Sequence, residues 1–240
     1  QGLGLSGANL KLTAKNGGEL ELGANSSVKD VEIGSGSAIT VEDSTLAVAG
    51  SLVNNGSLDA GTLTLQDGTA RGGNVDVGTL NLADNKSYTF GTLYVSDTLN
   101  GAKANLTIAD GGKLDAITAK LQSLATGDSA TLTGNITVSG ATNVGGGTTL
   151  SGSLTTGTLT GGPLMVEDGS LTSGGSLGNV QFAGTSSLTS TGTVILDGAL
   201  QNTGDLKLTG RFDASNLAAS KSDSKYVEGG TDGNGFEQAR

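Results

Sequence analysis

The chain of 240 residues contains no cysteine and no histidine. Those two absences exclude disulfides, thiolate and imidazole metal sites, cysteine nucleophiles, the Ser-His-Asp triad and every imidazole general base. Aromatic residues are scarce, with four Phe, three Tyr and no Trp, and there is a single proline. A rounded globule fills its centre with aromatic side chains that each bury roughly 150–250 Å²; a core without them must be thin and aliphatic. Basic residues number 13 against 23 acidic ones, for a formal charge of −10 and a pI near 4.3. Such a surface repels nucleic-acid phosphates and anionic lipid headgroups, and the arginines, Arg71, Arg211 and Arg240, form no cluster in sequence. No apolar run approaches the roughly 18 residues of a bilayer-spanning helix; the most apolar stretch, LAVAGSLV from Leu46 to Val53, has the length of a strand. Neither nucleic acid nor membrane insertion of this segment is expected.

What the chain has in quantity is glycine, 42 residues of it, and a regular pattern. Apolar pairs separated by one residue recur throughout, as in Leu10/Leu12, Val31/Ile33, Leu46/Val48, Leu63/Leu65, Leu80/Leu82, Ile136/Val138 and Leu206/Leu208. Turn clusters lie between them: KNGG at 15–18, NNG at 54–56, ADGG at 109–112 and NTG at 202–204. Period-two alternation puts each pair on one face of a short strand and the residue between them on the other. This regularity argues against disorder, the rival reading for a chain so rich in glycine.

A hairpin sandwich also spaces its turns evenly. Near-identical successive units, short strands and few large core residues instead favour an all-β parallel β-solenoid, in which each rung buries its apolar edge against the next. With roughly 20 residues per coil and about 4.8 Å per rung, residues 1–212 make about ten coils and a rod about 50 Å tall. The signal starts almost at residue 3 without a polar cap. Exposed strand edges invite pairing, so the expectation is that the polypeptide continues upstream or that this end meets another subunit. Residues 213–240 are polar and Gly-rich and read as a cap, a linker or the start of a further domain.

One segment departs from the pattern. Leu114, Ile117, Leu121 and Leu124 fall at helical spacing, with Gly127 placed to stop a helix. The stretch is either one more irregular coil or a short amphipathic helix near 115–126 lying against the solenoid.

The chemistry left to such a chain is that of carboxylates. Glu42/Asp43 and Glu167/Asp168 are adjacent pairs in the similar settings TVEDSTL and MVEDGSL. Neighbouring strand residues point to opposite faces, so both pairs read as repeat-equivalent turn residues, and a catalytic dyad would have to assemble across rungs. The aromatic cluster NKSYTFGTLYVSD holds Tyr88, Phe90 and Tyr94. Tyr88 and Phe90 share one face; Leu93 and Val95 resume the core pair and leave Tyr94 outward. This patch is the candidate binding site for a sugar or a protein partner, the alternative being local packing. DGNG at 232–235 matches neither a calcium nonapeptide nor an EF-hand loop, so no metal and no cofactor is expected. Asn-x-Ser/Thr sequons begin at Asn25, Asn85, Asn105 and Asn135, in a chain rich enough in these residues to contain them by chance.

The run GTLTLQDGTARGGNVDVGTLNLADNKSYTFGTLYVSD resembles the strand repeats in passenger domains of bacterial autotransporters and related large surface adhesins. The likeness rests on GTLTL at 61–65, GTLNL at 78–82 and KSYTF at 86–90, and it extends over most of residues 1–212. It implies a right-handed parallel β-helix, export to the cell surface in association with the bacterial outer membrane, and a non-catalytic role in adhesion, aggregation or biofilm. The partners so implied are other copies of the chain, or cell-surface glycans or proteins. An S-layer or extracellular filament subunit fits the composition nearly as well. A β-helical polysaccharide-cleaving enzyme or phage tailspike is the reading of a different class, and three or more carboxylates on one face of adjacent rungs would favour it.

Overall fold

The computed structural model describes residues 3–67, 69–198, 200–217 and 226–228. Among these the regular structure is all strand, without a helix, and the strands pair in parallel. Each strand pairs with its counterpart one turn later. Cross-rung hydrogen bonds join residues mostly 17 to 21 positions apart, as in Asn81 to Thr64 and Lys11 to Glu32. The result is a β-solenoid of about 11 turns.

Every full turn has three sides. One side stacks Lys11–Ala14 on Asp30–Ile33 and then Leu52–Asn54. A second stacks Glu19–Glu21 on the first half of Ala38–Val48, then on Ser57–Leu65 and Asn74–Leu82. The third stacks Ser26–Val28 on the second half of Ala38–Val48 and continues through the second halves of the same strands. Two inward residues per side, one outward residue between them and a short corner reproduce the Leu-x-Leu spacing.

The core is a column of like residues. On the third side Leu46, Leu63, Leu80 and Leu99 are in register rung upon rung and have no exposed surface. Burying each such side chain is worth about 1.5–3 kcal/mol. Each rung covers its neighbours, so that stability is shared along the stack.

The segment read as a possible helix near 115–126 is instead the last part of the strand Ser87–Thr126. Its buried residues are Leu114 and Ala116, then Ala119 and Leu121, then Leu124 and Thr126, while Ile117 is 60% exposed. Two inward residues followed by a three-residue step across a corner imitate helical spacing over one turn of a triangular coil. Ala116 and Ala119, small enough to pass unnoticed in an apolar pattern, are the true inward partners. Pairing with Thr131–Val144 in the next rung settles the matter.

Later rungs change the chemistry of the interior. Thr126 and Thr148 share a hydrogen bond of 2.8 Å, and the Thr142 hydroxyl donates to Thr156 at 2.9 Å, all four being buried. Asn54, also buried, donates to the Asn74 carbonyl at 2.8 Å and accepts from the Gly56 N–H at 2.9 Å. Its amide closes a corner from inside, which satisfies the rule that buried polar groups be paired.

The strand signal runs on to Leu217, and Tyr226–Glu228 pairs with Leu206–Leu208. Most of the segment 213–240, including DGNG at 232–235, lies outside the described residues.

Candidate functional site

The structure divides the aromatic trio. Tyr88 and Phe90 are 1% and 0% exposed, whereas Tyr94 is 40% exposed. Thr89 is in register with Arg71, which sets Tyr88 and Phe90 over Ala70 and Gly72 of the rung below. A rung with almost no side-chain volume makes room for two rings. The Tyr88 hydroxyl accepts the Ala83 N–H at 3.2 Å, and burial holds this phenol above its ordinary pKa. These two residues are core, and Tyr94 alone of the three reaches the surface.

Tyr94 lies on the second side of the coil, in register with Asp76, which is in register with Asp59. The Lys113 ammonium stands 5.0 Å from the centre of the Tyr94 ring and makes an ion pair of 3.0 Å with Asp115. A cation over an aromatic face is worth about 0.5–1 kcal/mol at an exposed position. The Asp59 carboxyl is held above its ordinary range, first by loss of surrounding water and then by the charges of Asp76 and Asp43. The arrangement is an aromatic ring bordered by acceptor oxygens on one flank and by an ammonium and a carboxylate on the other. A ring of this kind stacks on the C–H face of a sugar while carboxylates take its hydroxyl protons.

Sequence reasoning did not find Asp59, Asp76, Lys113 and Asp115. A signal was present for the first two: SLDAGTLTL at 57–65 and NVDVGTLNL at 74–82 align residue for residue, so that Asp59 and Asp76 fall in one file.

Glu42/Asp43 and Glu167/Asp168 occupy the same corner of different coils, each preceding a third-side strand that begins at Thr45 or Ser170. Asp168 has a positive φ of 48° and its carboxylate accepts the Thr185 N–H at 2.8 Å, a turn role. Among the sequons, Asn25 accepts from the Thr45 N–H, Asn105 hydrogen-bonds Ser87 and Ser123, and Asn135 donates to the Ile117 carbonyl. Asn85 sits exposed in a turn with φ of 59°.

Among the described residues no group of three acidic side chains is arranged to hold a metal ion, and no helix is long and apolar enough to cross a membrane. Compared with known protein families, curated proteins and solved structures, the chain matches none.

Proposed function

We propose that this chain is a rigid segment of an exported bacterial surface adhesin, non-catalytic in itself, that carries a small glycan- or protein-binding patch at Tyr94. One observation carries the reading: about 11 turns stack on a continuous aliphatic core, a stiff rod whose distinctive chemistry is confined to its outward files. The resemblance of GTLTL, GTLNL and KSYTF to autotransporter passenger repeats supplies the cellular setting. Binding of the purified chain to arrayed glycans and to extracellular host proteins tests the proposal. Binding that Tyr94→Ala removes, with the melting temperature unchanged, supports it; binding unaffected by that change contradicts the assignment of the patch.

A second reading, cleavage of a polysaccharide, is favoured by the trio Asp43, Asp59 and Asp76. These residues lie on three successive rungs, and the charges of Asp43 and Asp76 act on Asp59. Glycoside hydrolysis uses two carboxyl groups, one as general acid and the other as base or nucleophile. Here Asp59 would be the acid and Asp76 the base. Release of reducing ends from a polysaccharide, abolished in both Asp59→Asn and Asp76→Asn, would replace the adhesive reading with this one.

A further inference from the structure

The third side of the coil carries a second regular feature, on its outer surface. The tripeptide Ser-Leu-Thr occurs at 153–155, 170–172 and 187–189, and the three copies lie in exact register. The leucines are fully buried, so the serines form one outward file and the threonines another. Thr137 below and Thr209 above extend the threonine file to five rungs. In the earlier rungs Thr45, Thr62, Thr79 and Thr98 form a file that precedes the buried leucines as the serines do, with the Thr79 and Thr98 hydroxyls donating to the Asp97 carboxylate.

Two properties separate this side from the rest of the surface. Across the three Ser-Leu-Thr rungs it bears no carboxylate at an outward strand position, in a chain of 23 acidic residues. In these three rungs the hydroxyls are also unengaged: among the described residues, none of the six has a partner within the chain, whereas in earlier rungs Thr64 accepts from Asn81, and Thr79 and Thr98 donate to Asp97. Elsewhere such groups are tied up, as in the Ser87–Asn105–Ser123 ladder on the first side.

The grid repeats at about 4.8 Å between rungs and about 6.7 Å between alternate residues of a strand. Both spacings are close to oxygen–oxygen repeats on faces of hexagonal ice. We propose that this side is an ice-binding surface, its ligand being an ordered water lattice. A soluble glycan is a poorer match. The outward strand positions of this side between Thr45 and Thr209 offer no aromatic ring to stack on, and a hydroxyl exchanging water for a sugar nets only about 1 kcal/mol. With ice the competing solvent and the ligand are the same molecule. The uncharged rungs matter because a fixed charge orients water radially and breaks a lattice, so the surface is bounded where Lys120 and Lys207 enter the files beyond the Ser-Leu-Thr rungs, while each threonine offers a hydroxyl to the lattice and a methyl to the gap beside it. The inference does not depend on the proposed adhesive role.

Ice recrystallisation and thermal hysteresis measured on the purified chain provide the test. The parent chain should arrest crystal growth. T155K/T172K should lose that effect, whereas T89K on the first side should keep it. Lysine is tolerated in this file, since Lys120 is in register with Thr137. If the double variant melts early, S170K decides, because the serine file already contains Lys207 in register with Ser187. A parent chain that leaves ice growth unchanged overturns the proposal, and so do folded lysine variants with full activity.

Discussion

Asp59 and Asp76 sit side by side on the outer surface of consecutive rungs, two carboxylates in direct register on one parallel ladder. Like charges placed opposite one another are destabilising, and loss of surrounding water first, then the charges of Asp76 and Asp43, hold Asp59 above the 3.8 of a free aspartate. An acid whose folded pKa is raised favours the folded state below its unfolded pKa, and that advantage is lost as pH rises through the folded value. Asp59→Asn should therefore raise the melting temperature at pH 7 and have less effect at pH 3. Melting curves across that range check it, and equal shifts at both ends would contradict the assignment.

The N-terminal rungs have the opposite dependence. Glu32 accepts from Lys11 at 2.5 Å and from Lys15 at 2.8 Å, and these partners lower its pKa from 4.5 to about 2. A depressed acid stabilises the fold above its unfolded pKa and ceases to do so as pH falls through its folded one. Amide protection factors in residues 11–33, corrected for the intrinsic pH dependence of exchange, should fall between pH 4.5 and about 2 in the parent chain, and Glu32→Gln should flatten that acid response.

The two fates of the aromatic residues predict two magnitudes. Phe90→Ala opens a cavity above Gly72 and should cost about 3–5 kcal/mol. Tyr94→Ala removes an exposed ring and its contact with Lys113, a loss of under about 1 kcal/mol. Denaturant titration of both variants gives the comparison; similar losses would mean that the inward and outward assignments are wrong.

Gly134 combines a φ of +93° with a position where a Cβ would strike the Ala116 carbonyl of the adjacent rung. Gly36, with φ of +69°, has open space around it. Gly36→Ala should cost only the backbone strain of about 1–2 kcal/mol. Gly134→Ala should cost clearly more in the same titration, because the rungs must separate to admit the methyl.

The parallel coil was legible because one chemical rule, an inward residue at every second position, repeats in pairs such as Leu63/Leu65 and Leu80/Leu82. The corner from Ala116 to Ala119 was not, since alanine carries little weight in an apolar pattern while exposed Ile117 carries much. The outward surface was harder still. Corners of varying length set which outward residues become neighbours, so the meeting of Tyr94 with Lys113 could not be read from their separation. Asp59 and Asp76 are the exception, joined by two units of identical length. The parity of Tyr88 and Phe90 placed them on one face, and it took the small rung of Ala70 and Gly72 beneath them to identify that face as the inner one.

Engineered cysteine pairs test the stacked-rung account most directly, because the chain has no cysteine of its own to interfere. Thr62 is in register with Thr79 on the next rung, and Thr79 with Thr98 on the one after. One rung of about 4.8 Å lies within the Cα separation of about 4.4–6.8 Å that a disulfide spans. Two rungs exceed it. Oxidation should join Thr62→Cys to Thr79→Cys and leave Thr62→Cys unlinked to Thr98→Cys. Failure of the first pair in a folded chain, or efficient linkage of the second, would contradict the parallel stack.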